Sequence, residues 1–116
     1  MLFRSNTGDF TYGIYFEYTR ATSTNWLCKT ASAGTRTQVI STTPVVAATW
    51  ITLSITYDGT TYTYRVNGSS IGTITTNIPS GTVGKIGPRF VLIKNAGTSA
   101  RYVYIDYYYQ RLTLSR

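Results

Sequence analysis

Residues able to perform catalysis are scarce in this chain. The 116 residues include no histidine, and the only acids are Asp9, Glu17, Asp58 and Asp106. Without histidine the chain lacks the commonest general base and the usual partner of a serine or cysteine nucleophile. Glycoside hydrolysis needs two carboxylates across the scissile bond. Glu17 and Asp106 form the only conceivable pair, because Asp58 is assigned to a turn. We therefore expect no catalytic residues and a protein that is not an enzyme.

Residues that could bind a metal ion or a cofactor are also scarce. A calcium site needs several carboxylate and carbonyl oxygens around one ion. The isolated acids Asp9, Asp58 and Asp106 do not form such a cage, so we expect no metal and no cofactor. The single cysteine, Cys28, cannot form an intrachain disulfide. Its position in a predicted strand indicates a small buried hydrophobic residue.

Aromatic side chains are the most distinctive chemistry of the chain. Residues 102–109 contain five tyrosines and one acid, Asp106. In a strand, the tyrosines at 102, 104 and 108 would share one face, and Val103, Ile105, Tyr107 and Tyr109 would share the other. One face can fill a core. The other must meet a second subunit, a sugar or water, and all three alternatives stay open from the residues alone.

Five aromatic residues are candidate ligand-binding residues, since a flat ring with a polar tip can stack on a pyranose. They are Trp26, Trp50, Tyr102, Tyr104 and Tyr108. We expect Asp106, within the aromatic strand, to be a structural anchor instead. A buried carboxylate is costly without a partner, so we predict an ion pair with Arg89 or Arg101, or backbone N–H donors at a bulge.

The charge pattern argues against several partners. The net charge is +7, yet the eleven basic residues are spread along the chain without an adjacent pair. An even spread does not make the basic patch of a nucleic-acid binder, so we expect no nucleic acid partner. No apolar stretch is long enough to span a membrane. The N-terminus lacks the apolar core of a cleaved signal peptide. We expect a soluble protein without membrane insertion.

Composition and periodicity predict an all-β fold. Charged residues make up only 13% of the chain, and the abundant threonine, tyrosine, valine and isoleucine suit a pleated surface. Period-two alternation predicts strands over residues 12–18, 26–30, 36–41, 49–57, 61–66, 69–75, 89–94 and from residue 100 onward. The run 89–94 is apolar on both faces and predicts a central strand. We predict one antiparallel two-sheet sandwich over residues 1–116, with 1–9 irregular or an edge strand.

Two dipeptides predict the hairpin turns. Asp58-Gly59 and Asn67-Gly68 both follow an alternating strand, and both residue pairs tolerate a positive φ. These four structural residues would make a three-stranded meander of residues 49–75.

The order of these features resembles the concanavalin A-like (laminin-G-like) jelly roll. The resemblance lies in Trp50-Ile51-Thr52-Leu53, in Tyr57-Asp58-Gly59 and in Tyr64-Arg65-Val66-Asn67-Gly68. Within that superfamily the chain is similar to domains of tailed-bacteriophage virion proteins. The similar segments are residues 13–18, 25–26, 93–98, 100–101 and 105–107. The resemblance covers residues 10–116. Strands that usually precede Gly13 are short or missing, which implies a fragment or an edge completed by another subunit.

The resemblance implies a structural and adhesive role. It implies a virion surface module, in a tail fibre, a tail appendage or a head fibre, made in the host cytoplasm and used in host attachment. Fibres of this kind are commonly trimers, so it also implies a homo-oligomer, with a trimer favoured, or contact with other virion proteins. A monomeric carbohydrate-binding module that contacts a cell-surface glycan is the alternative. A degraded relative of glycoside hydrolases is a third.

Overall fold

The computed structural model describes residues 10–20, 22–80, 92, 97–100 and 102–111, and the backbone of residues 2–4 and 89–90. This part of the chain contains strands and no helix, which confirms the predicted all-β class. The strands are β1 (Leu2–Arg4), β2 (Gly13–Glu17), β3 (Asn25–Ser32), β4 (Thr35–Pro44), β5 (Leu53–Tyr57), β6 (Tyr62–Val66), β7 (Ser69–Ile74) and β8 (Arg89–Phe90).

The larger sheet has five strands in the order β4-β3-β2-β1-β8. β2, β3 and β4 pair antiparallel, but β1 pairs parallel with both β2 and β8. The prediction of antiparallel pairing throughout is therefore wrong at β1, because alternation fixes the face of a side chain and not the direction of its neighbour. β1 belongs to the segment expected to be irregular or an edge, and it lies between two strands.

The predicted central strand over residues 89–94 is also corrected. Arg89–Phe90 is a strand and stands last in the sheet order, beside β1. Leu92 is exposed and lies outside any strand. The apolar composition of the run therefore did not indicate its position in the sheet. Val91 and residues 93–96 lie outside the described residues.

The smaller sheet is the predicted meander of β5, β6 and β7. Asn67 and Gly68 both have positive φ, 50° and 82°, and connect Val66 to its partner Ser69, which confirms this turn. The first hairpin is wider than a two-residue turn, because Tyr57 pairs with Tyr62. Gly59 alone has a positive φ there.

The Asp58 carboxylate stabilises the first hairpin by a different route. Its Oδ1 accepts hydrogen bonds from the backbone N–H groups of Thr60 and Thr61, at 2.9 and 2.8 Å. This Asx-type arrangement closes the loop through a side chain, and the same backbone donors lower the pKa of Asp58. A hairpin forms at Asp58 and Gly59, but the predicted two-residue turn with a positive φ at both residues is wrong, because the loop is wider and Asp58 does not have a positive φ.

The two sheets share one hydrophobic core. Ile14, Phe16, Trp26 and Cys28 of the larger sheet pack with Tyr64, Val66 and Ile74 of the smaller one. Phe16 lies at the centre, with its ring edge-to-face with Trp26 and with Tyr64 at centroid distances of 5.9 and 5.3 Å. Cys28 is fully buried, as predicted. This arrangement places β2 and β3 in the interior.

The sheets meet closely where β7 passes β4. A Cβ added to Gly72 would lie 3.2 Å from both the Cys28 Sγ and a Val39 methyl carbon, so only glycine fits there without movement. Beyond the end of β7, the Thr30 hydroxyl donates to the carbonyl of Thr76 at 2.8 Å. The amide of Asn77 donates to the Thr37 hydroxyl at 2.9 Å. This side of the structure is closed by both packing and hydrogen bonds.

Candidate functional site

The tyrosine segment, residues 102–109, is the largest exposed aromatic feature of the described chain. Tyr102, Tyr104, Tyr107 and Tyr109 are each between 72% and 76% exposed. Val103, Ile105 and Tyr108 are exposed as well. Both faces of the alternating sequence therefore meet solvent. Large apolar surfaces of this kind mark interaction sites.

The segment does not form the predicted terminal strand. Residues 102–111 have no strand assignment, so they belong to neither sheet. The Tyr102 and Tyr104 rings lie 6.3 Å apart with a 32° tilt, and the Tyr108 hydroxyl contacts the Gln110 Oε1 at 2.9 Å. The prediction was wrong because strand-forming side chains need a neighbouring strand for their backbone hydrogen bonds, and the alternation does not supply one.

Asp106 is exposed, so its predicted role as a buried anchor is also wrong. A carboxylate in water needs no partner to compensate for lost hydration. Of its two predicted partners, Arg101 and the side chain of Arg89 lie outside the described residues. The segment 112–116, predicted to continue the strand, lies outside them as well.

The two tryptophans have opposite environments. Trp26 is 2% exposed and packs in the core between the sheets, so its predicted ligand-binding role is corrected. Its position on β3 places its ring on the inner face beside Phe16. Trp50 is 71% exposed, in the connection between β4 and β5. Of the predicted ligand-binding residues, Trp50, Tyr102, Tyr104 and Tyr108 are accessible.

Asn67 holds the connection that carries Trp50. Its side-chain Oδ1 accepts a hydrogen bond from the backbone N–H of Thr52 at 2.8 Å, and its own N–H donates to the Thr52 carbonyl at 2.8 Å. Asn67 adopts the left-handed conformation that the turn requires. Its two hydrogen bonds also hold Thr52, two residues after Trp50, in place. The structural role predicted for Asn67 and Gly68 is confirmed and extends to this loop.

Glu17 is engaged in a buried ion pair. The Lys29 Nζ lies 3.1 Å from the Glu17 Oε2, and both side chains are 9% exposed. The Thr19 hydroxyl donates to the other carboxylate oxygen at 2.9 Å. Glu17 is therefore neutralised inside the domain, whereas Asp106, its only predicted carboxylate partner, is exposed. The partners of Glu17 favour a structural role for this carboxylate.

Tyr57 and Tyr62, which are not among the predicted ligand-binding residues, form a stacked pair at one end of the smaller sheet. The rings of Tyr57 and Tyr62 lie 4.3 Å apart with an interplanar angle of 19°. The Tyr57 hydroxyl donates to the Gly59 carbonyl at 2.7 Å. Burial, together with Tyr57, raises the pKa of Tyr62. This pairing depends on the wider loop, which brings position 57 opposite 62, and the predicted two-residue turn did not indicate it.

The described residues offer neither a group of metal ligands nor a membrane-spanning helix. No group of three or more histidine, cysteine, aspartate or glutamate side chains could hold a metal ion there. In the same part of the chain, no helix has the length and hydropathy to cross a membrane.

The fold and the site together define an all-β domain whose largest exposed aromatic surface is the tyrosine segment. Residues 3–106 match the model of the family described as SO2946-like, C-terminal domain, and the chain belongs to that family. Comparison with curated proteins and with solved structures gave no match.

Proposed function

We propose that this domain is a non-enzymatic module of a tailed-bacteriophage virion surface, with structural and host-attachment roles. A tail fibre, a tail appendage and a head fibre are the components to which the sequence resemblance points. The observation that carries the proposal is the tyrosine segment, whose two faces are both exposed. Its chemistry suits contact, since tyrosine combines a large apolar ring with a hydroxyl that tolerates water.

A concanavalin A-like jelly roll is part of the same proposal. Two sheets around one core, and hairpins at the Asp58 and Asn67 positions of the resemblance, support it. The parallel pairing of β1 is a departure from an antiparallel jelly roll.

The module would act as a homo-oligomer, for which a trimer is favoured by the resemblance. Four tyrosines that are about three-quarters exposed offer on the order of 600 Å² for burial, since a tyrosine can bury roughly 150–250 Å². A standard interface buries about 800 Å² on each partner. The tyrosine segment could therefore supply most of one side of a stable subunit contact.

The proposal assigns no reaction to the domain. The Glu17 carboxylate is held by Lys29 and Thr19 in a buried position. Burial raises the pKa of the Cys28 thiol to about 12, so the thiolate needed for nucleophilic attack does not form near neutral pH. Contact alone would then perform the function.

Light scattering over a range of protein concentrations tests the proposal. We expect the mass of an oligomer for the unsubstituted chain and of a monomer for the double variant Tyr104→Ser, Tyr107→Ser. Ile40→Ser is the matched control, because Ile40 is an exposed apolar residue on β4, away from the segment in sequence. A monomeric unsubstituted chain at all concentrations would contradict the proposal, as would an unchanged oligomer in the double variant.

A carbohydrate-binding module is the second candidate, and the exposure of Trp50 favours it. The ring lies on a loop fixed by Asn67, and residues 44–57 contain no charged side chain. A neutral aromatic surface beside hydroxyl groups suits the stacking of a sugar ring. Glycan-array binding that is lost in Trp50→Ala and retained in Trp50→Phe would support this candidate. Equal binding by the unsubstituted chain and Trp50→Ala would exclude Trp50 as the site.

A further inference from the structure

The two edges of the smaller sheet differ in how they are protected. The edge at β7 faces β4, with close packing at Gly72 and polar contacts just beyond Ile74. The edge at β5 is different. β5 pairs with β6 on one side, and no described residue pairs with it on the other.

Hydrogen bonds at both ends of the β5–β6 ladder show which backbone groups lie at the open edge. The N–H of Asn67 donates to the Thr52 carbonyl, and the N–H of Asp58 donates to the Thr61 carbonyl. Hydrogen-bonded pairs alternate with non-bonded pairs along an antiparallel ladder. Ser54 and Thr56 therefore bond to β6. The N–H and C=O groups of Leu53, Ile55 and Tyr57 point away from the sheet.

The open edge also lacks the residues that usually block pairing. Charged side chains and proline are the common means of protecting an edge strand. β5 reads Leu-Ser-Ile-Thr-Tyr and has neither, whereas β4, one of the two outer strands of the larger sheet, contains Arg36 and ends at Pro44. Exposed aromatic residues lie at both ends of this edge, Trp50 before β5 and Tyr57 at its last position.

We infer that the tyrosine segment of one copy of this chain pairs as an added strand with the β5 edge of another copy. The inference rests on the proposed homo-oligomer and names its interface. Main-chain hydrogen bonds to Leu53, Ile55 and Tyr57 would supply affinity, and side chains on the two faces would supply specificity. The eight residues of the segment exceed the five of β5, so its ends reach Trp50 and Tyr57.

This contact is heterologous, because a segment of one copy meets a different surface of the next. Contacts of that type generate closed rings when the rotation between copies closes. A ring of three copies would pair every segment and cover every β5 edge. The inference therefore connects the trimer favoured by the resemblance with a specific pair of surfaces.

Cross-linking between two differently tagged, co-expressed chains tests the contact. One chain carries Tyr104→Cys and the other carries Thr56→Cys, and a short bismaleimide joins neighbouring thiols. Thr73→Cys is the matched control. Thr56 and Thr73 are both exposed and both flank Thr63 in the same row of the sheet, but they lie on opposite edges. Cys28 is fully buried, which protects it from the reagent.

We expect a cross-linked heterodimer with Thr56→Cys and loss of that band with Thr73→Cys. Equal cross-linking of both, or none in a chain that is an oligomer by light scattering, would overturn the docking and leave the proposed oligomer standing. A monomer by light scattering would overturn both. A second experiment uses a chain that carries both Tyr104→Cys and Thr56→Cys, diluted with an excess of unsubstituted chains. A cross-link within that single chain would overturn docking between copies.

Discussion

β2 and the tyrosine segment have the same kind of sequence and lie in opposite surroundings. Each carries large apolar side chains on both faces and a single acid, Glu17 in β2 and Asp106 in the segment. Every residue of β2 is buried, whereas every residue of the segment is exposed. Glu17 has an ammonium partner at 3.1 Å, while the Asp106 side chain is accessible to water.

The difference lies in the neighbours. β2 has β1 on one side, β3 on the other and the smaller sheet across its inner face. The segment has no strand beside it in the described chain. A strand with apolar residues on both faces is expected to pack against other surfaces on both sides, but the pattern does not indicate which surfaces these are. β2 is covered by its own chain. We propose that the tyrosine segment is covered by another copy.

The largest expected effect compares Phe16 with Tyr104. Phe16→Ala removes the central ring of the core, and we expect a loss of about 3–5 kcal/mol in the free energy of unfolding. Tyr104→Ala should change that free energy by less than about 0.5 kcal/mol in the monomer. Urea unfolding at a protein concentration low enough for monomers measures both. Similar losses in the two variants would contradict the contrast between the regions.

The buried acid gives the next largest effect. Lys29→Met leaves the Glu17 carboxylate without its ammonium partner, so we expect a loss of about 3 kcal/mol. Adding Glu17→Leu should recover much of that loss, because no buried charge is left. Asp106→Leu is the matched change in the segment and should leave the stability of the monomer nearly unchanged. A double variant as unstable as Lys29→Met alone would show that the ion pair is not the cause.

Alkaline pH should lower the free energy of unfolding through the buried thiol of Cys28. Burial raises the pKa of Cys28 to about 12, against about 8.5 for a thiol in the unfolded chain. Between these values the unfolded state loses a proton that the folded state keeps, so stability falls as pH rises. The thiol alone contributes at most about 1.4 kcal/mol per pH unit. The free energy of unfolding, measured by urea unfolding at a series of pH values from pH 8 upward, should therefore fall more steeply for the unsubstituted chain than for Cys28→Ala.

A single hydroxyl gives the smallest effect. The buried Tyr64 hydroxyl donates to the Lys29 carbonyl at 2.6 Å, so Tyr64→Phe should cost about 1 kcal/mol. Tyr104→Phe removes a hydroxyl from a side chain that is 76% exposed, and it should cost nothing measurable. Thermal unfolding of the two variants side by side measures the difference. Equal shifts in melting temperature would count against the distinction.

Local sequence rules predicted the all-β class and the three-stranded meander. Asn67-Gly68 requires positive φ at both positions, and the turn forms where it was predicted. The strands of the meander follow from alternation and from that turn. β5 starts at Leu53 instead of residue 49. The residues before it instead form the loop in which Ala48 has a positive φ and Asn67 bonds to Thr52.

The site was harder to predict because exposure depends on contacts between distant parts of the chain. Trp26 and Trp50 are both followed by an aliphatic residue, Leu27 and Ile51, yet one is buried and the other exposed. The open edge at β5 depends on which strands flank the meander, and local sequence does not specify this. The partner predicted for Asp106 followed from the predicted burial of the segment, and the segment is exposed.

Hydrogen exchange at residues 102–109, followed as a function of protein concentration, tests the central claim most directly. We expect fast exchange of these amides in dilute protein and slow exchange at concentrations where oligomers form, since added strands protect their backbone N–H groups. The amides of residues 13–17 should stay protected at every concentration and serve as the internal reference. Protection of residues 102–109 that does not depend on concentration, or its absence in a confirmed oligomer, would contradict the claim that a second copy covers the tyrosine segment.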